Sequence, residues 1–98
     1  MRLGDVRAML LKVFGKDISQ ERLRRYEDDG LIKFDREESS SYRICTSEML
    51  DEIVNIIALI ETGVSIDALK NKDIEAVSNH INYAKKIVPK LHIPKEWR

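Results

Sequence analysis

Residues 18–31 restrict this chain more than any other stretch, because they carry a helix start, an anchoring side and a helix stop in one short run. Ser19 suits the N-cap, where its hydroxyl can accept from a backbone N–H that the first helical turn leaves unpaired. Ile18 and Leu23 then occupy the two positions of a hydrophobic staple, which sets the angle at which the chain enters the helix. Gly30 supplies the stop. At 100° per residue Leu23 and Tyr26 share one side. Glu21, Arg22 and Arg25 are expected to point away from it, with Arg24 on the flank.

Two readings of this helix stand side by side. Guanidinium groups on an outward face, with an apolar back to hold the helix in place, suit contact with phosphates or guanine edges. The same charges also form i,i+4 pairs, Glu21 with Arg25, Arg24 with Asp28 and Arg25 with Asp29, and could be a self-neutralised, solvated face. The segments on either side decide between them.

Before it, Leu3, Val6, Leu10, Val13 and Phe14 recur at helical spacing, with Asp5 near the start and Gly15 as the residue after the end. A few residues then lead to Ser19, the spacing of a helix-turn-helix and of many helical hairpins. After Gly30 the period changes to two: Ile32 and Phe34 alternate with Lys33 and Asp35, residues 36–41 are a polar loop, and Tyr42, Arg43, Ile44 and Cys45 alternate again. The pattern predicts a β-hairpin over residues 32–45. A helix-turn-helix followed by a hairpin is a winged helix.

Thr46 or Ser47 can cap a further helix carrying Met49, Leu50, Ile53, Val54, Ile56, Ile57, Ala58, Leu59 and Ile60. Residues 53–60 are apolar on nearly all sides, so this helix is expected at the centre of the core. Gly63 ends it. Val64, Ser65 and Leu69 repeat the cap and staple, with Asp67 in the first turn where the helix dipole favours it. Ile74, Val77, Ile81, Ala84 and Ile87 or Val88 form a narrow stripe stopped by Pro89, either a short seam between two subunits or a strip folded back on residues 49–60.

Composition bounds the function. A chain of 98 residues with 17 basic and 17 acidic side chains has no global basic field, so any affinity for nucleic acid must come from local clustering. The middle is acidic, with Glu37, Glu38, Glu48, Asp51, Glu52 and Glu61 against Arg43 alone. A single cysteine, Cys45, excludes an internal disulfide and fits a reducing compartment. No apolar run has signal-peptide or bilayer-spanning length, and a cytoplasmic protein is expected.

In that order the elements resemble the DNA-binding domain of the MerR family of prokaryotic transcription regulators. The family's Ser, Leu-Arg-Tyr-Tyr-Glu and Gly-Leu run is similar to Ser19, Leu23-Arg24, Tyr26-Glu27 and Gly30-Leu31. Its Gly-Tyr-Arg wing motif is similar to Ser41-Tyr42-Arg43, and its later Gly-Phe-Ser-Leu-Asp/Glu-Glu-Ile to Gly63-Val64-Ser65-Ile66-Asp67-Ala68-Leu69. The resemblance spans residues 18–70. It implies a mainly α fold with a small β-hairpin, a winged helix-turn-helix over 1–70 followed by a C-terminal helix and tail over 71–98. It also implies a helix over 19–29 in the major groove and a wing along the phosphates of nucleoid DNA. Arg25 stands where the family has a tyrosine, Ser41 in place of the wing glycine and Cys45 in place of an aromatic. Relatives sense metals through cysteines near a dimerisation helix, and this sequence has none there.

The candidate DNA-binding residues are therefore Ser19, Gln20, Arg22, Arg24 and Arg25 at the groove, with Lys33, Arg36, Tyr42 and Arg43 along the backbone. A homodimer would use Ile74, Val77, Ile81, Ala84 and Val88. His80 and His92 have no clustered partners, and no phosphate loop, nucleophile or paired-carboxylate arrangement is recognisable, so neither metal, cofactor nor catalysis is expected. Trp97 is either frayed or docked, and Lys85, Lys86, Lys90 and Lys95 either extend the phosphate contacts or serve solubility. A winged-helix module for protein interaction stays open, as does a small excisionase-like or architectural DNA-binding factor.

Overall fold

A computed structural model of the chain describes residues 1–86, 88–94 and 97. Within the expected strip and tail, Ile87 and Lys95 lie outside the described residues. The chain divides into two compact units, Met1–Asp51 and Glu52–Arg98.

The first unit opens with α1, Leu3–Phe14, whose start is tied by the Arg2 N–H donating to Asp5 Oδ2 at 2.9 Å. Leu3, Val6 and Leu10 are buried at helical spacing. Val13, expected on the same stripe, stands 48% exposed where the helix reaches its last turn. Gly15 takes a left-handed conformation, φ 65°, and its N–H donates to Leu11 O, which ends the helix. Residues 15–19 form the turn. Arg7 holds it by a two-pronged ion pair with Asp17, at 2.8 and 2.6 Å.

Helix α2, Gln20–Asp28, follows. Ile18 and Leu23 are both fully buried, as the staple requires, and Tyr26 is buried beside them in the sequence pattern. The helix ends in a Schellman motif: the Gly30 N–H donates to Glu27 O and the Leu31 N–H to Tyr26 O, each at 2.9 Å, with Gly30 at φ 78°.

Strands β1, Asp35–Arg36, and β2, Arg43–Ile44, pair antiparallel with Asp35 opposite Ile44 and Arg36 opposite Arg43. The hairpin lies inside the expected 32–45 window, but its first strand starts later than the alternation of Ile32 and Phe34 indicated. Those two side chains are buried, so their period-two spacing reflects inward packing. The Phe34 N–H donates to the Glu27 carboxylate, not to a strand. A third segment joins the hairpin without any sequence signal: Arg2 bridges Ile44, and the Cys45 N–H donates to Met1 O at 2.7 Å.

Helix α3, Ser47–Glu61, begins at the end of this unit. Thr46, the first of the two candidate caps, accepts from the Met49 N–H at 3.2 Å.

The second unit holds most of α3, then α4, Ile66–Lys70, and α5, Ile74–Ala84. Ile53, Ile56, Ile57, Ala58 and Leu59 are buried, which accounts for the all-round apolar character of that segment. Ser65 caps α4 by accepting from the Ala68 N–H at 3.0 Å, and Val64 and Leu69 are buried as the second staple. Asp73 caps α5. In α5, Val77 and Ala84 are fully buried within the single chain, Ile81 is half-buried and Ile74 exposed; the helix ends at Ala84, short of the expected stop at Pro89, so the half-buried Val88 lies beyond it. The strip is thus largely used inside the chain. Asn55 is the buried polar residue of α3: its amide exchanges hydrogen bonds with the His92 backbone, 2.8 Å to the carbonyl and 2.9 Å from the N–H. Leu91 is buried alongside, and Trp97 is half-buried. The architecture is mainly helical, a helix-turn-helix with a two-stranded wing followed by C-terminal helices.

Candidate nucleic-acid interface

The geometry of α2 begins with its cap. Ser19 Oγ accepts from the Arg22 N–H at 3.1 Å, so this hydroxyl is engaged in holding the helix start. Gln20 is half-buried, and its side-chain amide nitrogen lies against Gly4 of α1, 3.6 Å from where a Cβ would stand. Both residues expected at the start of the interface thus contribute to its support.

Arg22 departs from the outward expectation. It is half-buried, donates from Nη2 to the Tyr26 hydroxyl at 2.6 Å, and its guanidinium carbon sits 5.6 Å from the Tyr26 ring centroid. The reason is helical spacing: residues 22 and 26 are i,i+4 neighbours, only 40° apart on the wheel. A buried phenol needs a hydrogen-bond partner. Arg22 provides it.

Arg24 and Arg25 are exposed. Among the described residues neither has a side-chain hydrogen bond or ion pair, so the self-neutralised reading of the helix is not what forms. Lys33, in the connection after α2, is likewise exposed and unpaired among those residues. These three cations stand open to solvent.

The wing cations are arranged differently. Glu27, one residue after Tyr26, has a side chain only 14% exposed. Its carboxylate accepts from Arg43 Nε at 2.8 Å, from Arg36 Nη2 at 3.0 Å and Nη1 at 3.2 Å, and from the Phe34 N–H at 3.1 Å. Burial opposes ionisation of this group, but the hydrogen bonds from Arg36, Arg43 and Phe34 outweigh it and hold the carboxyl below its usual range. The hydrogen bond to Glu27 raises the Arg36 guanidinium in turn. In the sequence Glu27 stands out only as part of the Tyr26-Glu27 motif. An acidic residue one place past the anchoring tyrosine, followed by an arginine on each hairpin strand, was the available signal.

At the tip, residues 37–42 close by the Glu37 N–H donating to Tyr42 O and the Ser41 N–H to Glu37 O, both at 2.8 Å. Ser41 lies at φ 59°, in the left-handed region that glycine adopts most easily, at the position where the compared wing motif has glycine. Tyr42 is 58% exposed. Arg2 stacks over its ring at 4.9 Å and donates to Glu37 Oε2 at 3.1 Å. Arg2 was not among the candidates, because no local pattern reveals that the chain start lies beside β2.

Cys45 is buried, and burial raises its thiol above the ordinary range. No group of three or more His, Cys, Asp or Glu side chains among the described residues is placed to hold a metal ion. No helix there is long and apolar enough to cross a membrane.

A family model described as MerR HTH family regulatory protein matches residues 16–72, which include the turn, α2, the wing and α4. Comparisons with curated proteins and with solved structures return no match. A capped helix carrying exposed arginines, a wing tied to it and a family match over more than half the sequence lead to one conclusion: the chain belongs to the MerR family of helix-turn-helix regulatory proteins.

Proposed function

We propose that the protein is a transcription regulator that binds double-stranded DNA sequence-specifically through residues 1–70, with α2 in the major groove and the wing along the backbone. The observation that carries this reading is the pair of exposed guanidiniums of Arg24 and Arg25, unpartnered among the described residues, on a helix anchored by Leu23 and Tyr26. Arg25 reaches base edges or flanking phosphates, and Arg24 and Lys33 add charge on either side. Arg36, Arg43 and Tyr42 meet the backbone from the wing, where one or more N–H groups of each guanidinium remain beyond those engaged by Glu27. Ser19, Gln20 and Arg22 act through the placement of α2. The function is binding without catalysis, and it is exercised on nucleoid DNA in the cytoplasm.

Selection of bound duplexes from a random pool tests the reading. A recurrent sequence motif supports it, and recovery of unselected sequence refutes specificity. Arg25→Ala is expected to weaken binding about tenfold or more and to lower the salt slope of log affinity by about one. Unchanged affinity in a folded Arg25→Ala protein removes α2 from the interface.

The pairing of Arg36 and Arg43 with Glu27 favours a second reading, a winged-helix module for protein interaction, since it removes charge from the wing. Affinity for duplex DNA that ignores salt would select it. For a homodimer, α5 offers Ile74 with the half-buried Ile81, and the segment after it the half-buried Val88, because Val77 and Ala84 are spent within the chain. Sedimentation of the DNA complex decides this: two chains per duplex support a dimer, one chain refutes it.

A further inference from the structure

We infer that Arg2 is a further residue of the DNA-binding surface, a positioning residue that orders Tyr42 and neutralises Glu37 at the tip of the wing. The inference rests on the DNA-binding reading above and adds a residue to it from the other end of the chain.

The backbone brings Arg2 to the tip. Arg2 bridges Ile44 in antiparallel sense, and the Cys45 N–H donates to Met1 O, so the chain start runs beside β2 as a short third segment. Across such a pair, the side chain opposite Ile44 is a diagonal neighbour of residue 42 on the same face. The guanidinium carbon accordingly sits 4.9 Å from the Tyr42 ring centroid, within cation–π range. Nη2 reaches Glu37 Oε2 at 3.1 Å.

Stability does not explain these contacts. The Arg2 side chain is 59% exposed and that of Glu37 36%, and ion pairs so open to water contribute little. Their effect is on the local field. Residues 37–42 are Glu, Glu, Ser, Ser, Ser and Tyr, a loop with two carboxylates and no basic side chain of its own. Laid against phosphates, such a loop is repelled. Arg36 and Arg43 offset it only in part from the strands, because both share their charge with Glu27. Arg2 is the cation the structure places at the loop. Stacking on Tyr42 also holds the exposed ring in one place, so that its hydroxyl can meet a phosphate without first losing rotamer freedom.

The test measures binding of the full chain to random-sequence duplex DNA, since contacts to the backbone carry no sequence preference. Arg2→Ala is expected to weaken binding about fivefold. Arg2→Ala combined with Glu37→Gln should recover most of that loss, because the uncompensated carboxylate has been removed. Arg2→Lys, which keeps the charge and loses the planar stack, should fall between Arg2→Ala and the wild type and guards against a folding defect in the alanine variant. A merely structural role for Arg2 would not be relieved by Glu37→Gln. Arg2→Ala at wild-type affinity, with Arg25→Ala still weakened, overturns this proposal alone, and so does a double variant as weak as Arg2→Ala. Absence of measurable binding by the wild-type chain overturns the DNA-binding reading itself, and this inference with it.

Discussion

Arg43 Nε on β2 donates to Glu27 Oε1 on α2 at 2.8 Å, and this bond joins the wing to the helix that carries the exposed arginines. The same carboxylate takes both terminal nitrogens of Arg36 and the Phe34 N–H. Both oxygens accept two hydrogen bonds, so all its lone pairs are used. A carboxylate so enclosed is costly to strand, because removing one partner leaves charge without compensation. The hairpin is only two residue pairs long and would be marginal by itself. Glu27 supplies an attachment that the ladder cannot.

Glu27→Gln is therefore expected to destabilise the protein by about 1–3 kcal/mol, read from the urea midpoint. The pH dependence has a definite sign. The folded carboxyl titrates below its unfolded value of about 4.3, so its contribution is fully present above that value. It is lost as pH falls through the lower, folded value. Wild-type stability should drop over this acid range, and Glu27→Gln should flatten that part of the curve. Parallel curves for the two proteins would show that Glu27 is not the titrating group.

Ser19→Ala removes the acceptor for the Arg22 N–H and should cost about 1 kcal/mol. Ser19→Asp should retain most of the stability, since its carboxylate can cap the same N–H. Equal thermal midpoints for wild type and Ser19→Ala would contradict the capping geometry.

Ser41→Gly relieves a left-handed conformation at φ 59°. Stabilisation of up to about 1 kcal/mol is expected, the steric gain being partly offset by the freedom glycine has in the unfolded chain. A lower denaturation midpoint in Ser41→Gly would show that the Ser41 side chain contributes more than its backbone costs.

Asn55→Ala leaves the His92 N–H and carbonyl without their partner and should cost about 1–3 kcal/mol. Faster hydrogen exchange should be concentrated at the His92 amide and its neighbours. Unaltered exchange there would mean that the tail does not depend on this amide.

The parts of the fold legible in the sequence are those with local causes. Ser19, Ile18 and Leu23 define the start of α2 within a single turn, and Gly30 its end. Ser65, Val64 and Leu69 repeat that signature in α4. The hairpin was legible in existence and not in register: Ile32 and Phe34 alternate because they are buried, while the ladder begins at Asp35. Arg22 was assigned to the outward face by a wheel centred on Leu23, and Tyr26, 40° away, draws it back. The strip in α5 read equally as a seam or an internal contact. Burial of Val77 and Ala84 places those two residues inside the chain.

Caps, staples, glycine stops and the switch from helical to alternating period determined which elements exist and in what order, since each depends on residues within a turn or two of one another. Which cations are open and which are paired was decided only by the tertiary structure. Glu27 meets Arg36 and Arg43, and Arg2 meets Glu37 and Tyr42, across separations that no local periodicity encodes. Charge acts through space, and the chain must fold before those distances exist.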